Sequence, residues 1–464
     1  MGSSGDELEI DAETRVHFVG IGGVSMSALA ELMHHRGHTV TGSDRQASEL
    51  THRLDAMGMA IRIGHAAEAA ENVDLVVYTS AASDDNPEIL SARENCIPVM
   101  KRSEFLGKLT AGKRLIGVAG THGKTTTTAM VGAVLEAAEM DPTVLVGGLV
   151  TGDDKNLRLG SQSIWAVEAD EFDRSFLTLH PKVAVVTNLE ADHLDCYADI
   201  WDIKNAFAQY LDQTHGAAVV CTDSPLVNEL TVGNGVRRIE YGIGSRAQLR
   251  ADEIASSNFT SKILIKDGCE VLGDLLLQVP GLHNVRNALA AVGVGIALDL
   301  EWDAIRLGLE SFEGVRRRFE VLGEVDGVKV VSDYAHHPTE IKAVLDAARA
   351  DWEGRLVAVF QPHLYSRTRD FAEGFGAALS PADTVWVTDV YAAREQPMSG
   401  VDGKLVADWV TRSGNEKVQY VADADDLPMK LINEVETGDL VIVMGAGDID
   451  RIAHELFSRM RTLK

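Results

Sequence analysis

Apolar positions along this chain fall into short unbroken runs rather than alternating ones. Examples are Val16-His-Phe-Val-Gly20, Leu75-Val-Val-Tyr-Thr79, Leu115-Ile-Gly-Val-Ala119, Ile164-Trp-Ala-Val-Glu168 and Val183-Ala-Val-Val-Thr187. Later come Lys329-Val-Val-Ser-Asp333, Leu356-Val-Ala-Val-Phe360, Thr384-Val-Trp-Val-Thr388 and Leu440-Val-Ile-Val-Met444. Short β-branched runs of this kind suit strands covered on both faces. Each run ends in a polar or glycine-rich turn and is followed by helical spacing, which predicts an α/β protein with parallel sheets. Positions 240–280 read differently, as strands and tight turns, and predict an antiparallel excursion within the middle domain. Boundaries fall at the basic, glycine-bearing stretch 107–113 and at Phe312-Glu-Gly-Val-Arg-Arg-Arg-Phe319. They divide the chain into 1–110, 111–316 and 317–464, and 464 residues is the length expected of about three domains.

Composition narrows the partners. The net charge of −27 disfavours nucleic acid and anionic lipid. No run of eighteen apolar residues is present, so no membrane span is expected, and no secretory signal is recognisable. Cys96, Cys196, Cys221 and Cys269 are far apart and form no Cys-x-x-Cys pair. They read as free thiols in a reducing compartment, which points to the cytoplasm. Nothing in the sequence distinguishes a monomer from a homodimer.

Two turns carry the clearest chemistry. The first strand runs into Gly20-Ile-Gly22-Gly23-Val-Ser25, and an apolar helix follows. Glycines there let backbone approach a pyrophosphate at a helix N-terminus, or serve only to pack helix on strand. Asp44, at the end of the second strand, stands 24 positions past Gly20, near the spacing of a ribose-binding carboxylate. The second turn, Gly120-Thr121-His122-Gly123-Lys124-Thr125-Thr126, lies between a strand and a helix. Its N–H groups would wrap a triphosphate, with Lys124 on the β/γ-phosphates and the Thr125 hydroxyl on Mg²⁺. Val118 departs from the strict phosphate-loop pattern, which has glycine there.

Polar groups recur at later strand ends, where an open α/β sheet binds ligand. Glu168-Ala-Asp-Glu171 closes one strand and Asn188-Leu-Glu-Ala-Asp-His193 the next. Glu168 and His193 are candidate divalent-metal ligands; the alternative is a helix cap at Asp192 and a packed histidine. In the last third, Asp333-Tyr-Ala-His336-His337-Pro338, Gln361-Pro-His363-Leu-Tyr-Ser-Arg367, Asp389 and Gly445-Ala-Gly-Asp448 end four strands. His336-His337 lacks a third ligand at zinc-site spacing.

Taken together these segments, with His283-Asn-Val-Arg-Asn287, resemble the Mur ligase family of ATP-dependent amide-forming enzymes, from about residue 15 to 460. In that family Thr-x-Gly replaces the strict loop spacing, which accounts for Val118. The resemblance implies three domains: a Rossmann-like N-terminal domain for a UDP-sugar, a central P-loop ATPase-like α/β domain for ATP, and a Rossmann-like C-terminal domain that closes over both. It implies the substrates UDP-N-acetylmuramate, L-alanine and ATP, an acyl phosphate, and Mg²⁺, with Mn²⁺ as an alternative. By motif, Gly120 to Thr126 and Lys124 serve the phosphates, and Thr125, Glu168 and His193 the metal. Asn284 and Asn287 face the adenine, Arg318 lies near the nucleotide, and Asp333 is on the ribose side. Gly20, Gly22, Gly23, Ser25, Asp44 and Ser80 serve the sugar nucleotide. His336, His363 and Arg367 face the sugar carboxylate and the amine, and with Lys124 and His193 form the catalytic set.

Two departures bear on this reading. Ser25 stands where a family glycine is common, and Leu364 where many members have arginine, which gives Arg367 more weight. A sister ligase that attaches a preformed tripeptide shares the fold, but the stretches at 336–338 and 361–363 favour addition of a single amino acid. The glycine turn alone would also fit an NAD-dependent oxidoreductase, which leaves the loop at 120–125 unexplained. A non-catalytic nucleotide-binding regulator is the remaining alternative.

Overall fold

The computed structural model describes residues 13–161, 163–191, 196–244, 246–393 and 395–462. It forms two compact units. Of the described residues, the first comprises those within 13–149, 155–241 and 290–301, the second those within 150–154, 242–289 and 302–462.

The first unit holds two sheets. The N-terminal one is parallel, in the order β3-β2-β1-β4-β5. Its strands are β1 (Arg15–Val19), β2 (Thr39–Asp44), β3 (Ala60–Ile63), β4 (Leu75–Tyr78) and β5 (Val99–Lys101). Its helices are α1 (Val24–His35), α2 (Glu49–Ala56), α3 (Pro87–Glu94) and α4 (Arg102–Thr110). The strand order reverses at β1, so the glycine turn after β1 opens at the switch point where such sheets bind ligand.

The second sheet contains β6 (Arg114–Ala119), β7 (Thr143–Val150), β8 (Lys155–Arg158), β9 (Ile164–Glu168), β10 (Val183–Val186), β11 (Ala217–Cys221) and β12 (Arg237–Gly242). Their order is β12-β11-β10-β6-β9-β7-β8, and β6 is parallel to both β9 and β10. Its helices are α5 (Lys124–Ala137), α6 (Ile200–Asp212) and the single turn α7 (Pro225–Asn228). One continuous apolar core joins the two sheets through α4, whose Phe105, Leu106 and Leu109 are buried with Phe18 on one side and Phe176 and Leu179 on the other.

The second unit begins with an antiparallel meander, β13 (Leu249–Ser257), β14 (Thr260–Asp267) and β15 (Glu270–Leu277). This is the excursion expected at 240–280. Helix α8 (Leu282–Ala297) contains the point of division, and α9 (Trp302–Glu310) follows. The C-terminal sheet runs β16-β17-β21-β18-β19-β20. Its strands are β16 (Glu320–Val325), β17 (Val328–Asp333), β18 (Leu356–Phe360), β19 (Thr384–Thr388), β20 (Val418–Val421) and β21 (Leu440–Met444). Only the β16–β17 hairpin is antiparallel among its described pairings. The helices are α10 (Pro338–Asp351), α11 (Tyr365–Leu379), α12 (Gly403–Arg412), α13 (Leu427–Ile432) and α14 (Asp450–Thr462). Strands β18 and β21 are wholly buried, which is why they read as unbroken apolar runs. Among the described residues, no helix is long and apolar enough to cross a membrane, and the four cysteines are free thiols.

Candidate active site

Helix starts differ in how their free N–H groups are met. Side chains cap α2 (Ser48), α3 (Asn86), α6 (Asp199) and α12 (Asp402). Helices α1 and α5 begin at Gly23 and Gly123 with no side-chain cap. Their first-turn N–H groups are left for a ligand, and the helix dipole favours an anion there. These are the two turns that the sequence assigns to phosphates.

The glycine turn is braced from below. Gly20 N and Ile21 N donate to Ser43 O at 2.8 and 3.0 Å. Gly22 N donates to Asp44 Oδ2 at 2.8 Å. A Cβ on Gly22 would lie 2.9 Å from that oxygen, so the contact requires glycine. Asp44 thus shapes the turn as well as standing where a ribose carboxylate is expected. Ser80 is exposed just beyond β4.

The phosphate loop is fixed by the exit of β10. Thr121 N donates to Asn188 O at 3.1 Å and His122 N to Asn188 Oδ1 at 2.8 Å. Thr187 Oγ1 and Asn188 Nδ2 return to His122 O at 2.6 and 3.0 Å. Gly120 has φ +134°, and a Cβ there would stand 2.0 Å from Thr187 Oγ1. The Asn188-Leu-Glu190 segment therefore holds the loop, a role the sequence reading did not assign. The His122 ring lies 3.6 Å from Glu190. Thr125 and Thr126 are buried on the first turn of α5.

Three carboxylates end β9 beside this loop. Glu168 accepts hydrogen bonds from Gly147 N and from the Thr125 hydroxyl. Burial raises its pKa, opposed by those bonds and by the charge of Lys124. A half-buried carboxylate next to a threonine hydroxyl is a hard-oxygen donor pair of the kind Mg²⁺ takes. His193, the other proposed metal ligand, lies outside the described residues. Asp170 is 3.7 Å from Arg102. Glu171 pairs with Lys124 at 2.7 Å. Neither Arg102 nor Glu171 was given a role from sequence. Their partners are far away in the chain, and only the fold brings them together.

An open cleft lies between the first turn of α1 and the Glu168 end of β9. Ser25 and Leu29 of α1, Arg102 and Leu106 of α4, Gly147 of β7, and Glu168 and Asp170 after β9 line it. One end is the first turn of α1 and the other is the carboxylate beside the phosphate loop.

In the second unit the remaining predicted residues gather at the carboxyl ends of β17, β18, β19 and β21. Asp333 is buried and accepts from Phe319 N and Ala335 N, each at 2.7 Å. Burial pushes its pKa up to about 6 against the pull of Arg318 and those two bonds. Arg317 and Arg318 stack their guanidinium groups on Tyr334, 4.8 and 5.1 Å from the ring centre. Glu340 joins Arg318 at 3.8 Å and His336 at 3.2 Å. The His336 ring meets His363 edge-on at 6.1 Å, and His363 stacks on Tyr391 at 5.8 Å. Arg367 is half-buried on the first turn of α11. Asn284 and Asn287 are buried and bonded to each other at 3.1 Å, and Asn284 also donates to Pro280 O. Their amides are thus partly engaged within α8. Burial lowers the pKa of the adjacent His283 to about 4, aided by Arg318 and Arg286. Tyr334, Glu340 and Tyr391 are the neighbours that sequence reasoning missed.

Residues 15–114 match the Mur ligase family, catalytic domain; residues 118–295 match the Mur ligase middle domain; and residues 317–447 match the Mur ligase, glutamate ligase domain. The UDP-N-acetylmuramate–L-alanine ligase of Geotalea daltonii is 44% identical over 96% of this chain and 98% of its own length. That of Salinibacter ruber is 48% identical, over 96% and 94%. Among solved structures, the UDP-N-acetylmuramate-alanine ligase of Thermotoga maritima superposes with a TM-score of 0.85 at 31% identity, covering 97% of this chain and 100% of that one. A murein peptide ligase from Psychrobacter arcticus shares the fold, with a TM-score of 0.69 at 24% identity over 96% and 98%. The chain belongs to the Mur ligase family.

Proposed function

We propose that this chain joins L-alanine to the carboxylate of UDP-N-acetylmuramate, cleaving ATP to ADP and phosphate through an acyl phosphate. The observation that carries this reading is the pair of helix N-termini without side-chain caps, one at a glycine turn and one at a phosphate loop, with a cleft running from the first turn of α1 to Glu168. It suits a diphosphate sugar whose acid end reaches the γ-phosphate. Relatives of that name, matching along nearly the whole chain, support the choice of substrates. In this reading residues 1–110 hold the sugar nucleotide, 111–316 hold ATP, and 317–464 supply the amine site. Cytosolic nucleotide substrates would place the reaction in the cytoplasm.

The chain's own residues account for the main demands of such a reaction. Two anions must meet, so positive charge and N–H donors are needed at the contact. Lys124 and the first turn of α5 offer these to the β/γ-phosphates, while Arg102 brings a cation to the cleft wall. Glu168 and Thr125, with His193 by motif, would hold Mg²⁺, which neutralises phosphate charge when bound. His336, His363 and Arg367 would receive the amino acid and the sugar acid, an arginine fork suiting a carboxylate. The Arg318, Asp333, Asn284 and Asn287 group would border the nucleoside.

The direct test is ADP and phosphate release with UDP-N-acetylmuramate and a panel of amino acids. Turnover should require the sugar nucleotide and be fastest with L-alanine. Release that is independent of both substrates, or fastest with a tripeptide, would refute the assignment.

A further inference from the structure

The acid beside the phosphate-loop lysine has no place in the reaction as described so far. A loop lysine that serves phosphates needs a clear path to them, yet Lys124 is fully engaged. Its Nζ donates to Glu171 Oε1 and Oε2 at 3.0 and 2.7 Å, to Gly120 O at 2.7 Å and to Thr121 O at 3.3 Å. The ammonium is folded back over its own loop. Glu171 is itself rigid. Its side chain is 3% exposed, and its backbone carbonyl accepts from the buried Tyr197 hydroxyl at 2.6 Å. The Arg174 guanidinium sits 4.8 Å from the centre of the Tyr197 ring and fixes that contact in turn.

This is unlike a surface pair, which water and salt would weaken. A lone ammonium in this enclosed position would be costly, and the close Glu171 carboxylate offsets that cost. The same buried anion opposes the entry of a triphosphate. A nucleotide must therefore draw Lys124 off Glu171 before the lysine can reach it.

We propose that Glu171 is a positioning residue that holds Lys124 in the nucleotide-free protein and releases it to the incoming phosphates, so that the strength of this pair sets nucleotide affinity. The inference rests on the ATP-binding reading of the loop, not on the identity of the amino acid joined. Two substitutions separate its parts. Glu171→Gln keeps the shape and removes the charge. Glu171→Asp keeps the charge and withdraws it by one methylene, which breaks the close pair.

Calorimetric titration of the full chain with ADP and with ATP, Mg²⁺ present and sugar nucleotide absent, reads the effect. Both variants should bind nucleotide ~3- to 10-fold more tightly than the unaltered protein, the scale of one partly screened charge contact. In turnover, KM for ATP should fall while KM for the sugar nucleotide stays put, a split that a merely structural role would not produce. A thermal melt shows whether each variant is folded, and if Glu171→Gln is not, Glu171→Asp carries the test. Unchanged or weaker nucleotide binding by a folded variant would overturn the proposal. So would tightening by Glu171→Gln alone, because that indicates simple repulsion without a held lysine. Nucleotide binding by the unaltered protein without substrate-dependent ADP release would refute the proposed function instead, and leave this inference intact.

Discussion

Asp333 shows how a single buried carboxylate ties stability to pH. Its pKa rises from 3.8 to about 6, mainly through burial. The folded protein then holds a proton that the unfolded chain has released. Stability from this source is complete below pH ~4 and is lost as pH rises through about 6, a change of ~3 kcal/mol. Asp333→Asn cannot titrate, so its melting midpoint should gain on that of the unaltered protein between pH 4 and 7. The variant starts from a deficit, since its amide nitrogen donates only and leaves either Phe319 N or Ala335 N without its acceptor. A gap that stays constant over this range would show that Asp333 titrates normally. Glu88 carries the opposite sign. Burial pushes its pKa up, but bonds from His17, Ser43 and Ala66 N more than offset this and leave it lowered. Its contribution is therefore lost on acidification.

At the scale of elements, the start of α11 shows how a helix is held from another loop. Leu364, its N-cap, has φ +67° and supplies no side-chain cap. Glu395 takes over, accepting from Ser366 N at 2.9 Å and from Ser366 Oγ. Arg367 lies on this first turn. Glu395→Ala should cost ~1 kcal/mol, the usual loss for a helix cap, and should raise KM for the amino acid or the sugar nucleotide more than for ATP. A lower melting point with all three KM values unchanged would separate α11 from the substrates. Legibility in the sequence follows the same physics. Strands β1, β6, β9, β10, β17, β18, β19 and β21 were readable because each is nearly or wholly buried and so apolar throughout. The edge strands β3 and β20 escaped notice because they are four residues long and mostly exposed or half-exposed, which leaves no apolar run. The phosphate loop was legible because its residues are adjacent in sequence. Glu171 as the partner of Lys124, 47 residues away, and Asn188 as the brace of His122, 66 away, were not. Which acid or amide meets the loop is decided by how β9 and β10 flank β6.

The whole molecule sets an electrostatic problem that its local sites must solve. A net charge of −27 repels both the sugar nucleotide and ATP at long range. Two cations stand at the proposed site, Lys124 on the phosphate loop and Arg102 on the cleft wall, each with an acid beside it. The placement favours one route. Lys124, Thr125 and Glu168 cluster where the β/γ end of a nucleotide would lie, and Glu168 also lines the cleft that reaches the first turn of α1. An enzyme that adenylates its substrate would instead have to present the α-phosphate to the acid. The sugar carboxylate should thus attack the γ-phosphate, and the amine should displace phosphate from the acyl phosphate formed. With ¹⁸O in both carboxylate oxygens of UDP-N-acetylmuramate, one label should appear in each phosphate released and the other remain in the amide. Mass spectrometry of the phosphate after a single turnover reads this directly. Unlabelled phosphate, or AMP and pyrophosphate as products, would show that the cluster serves a different transfer.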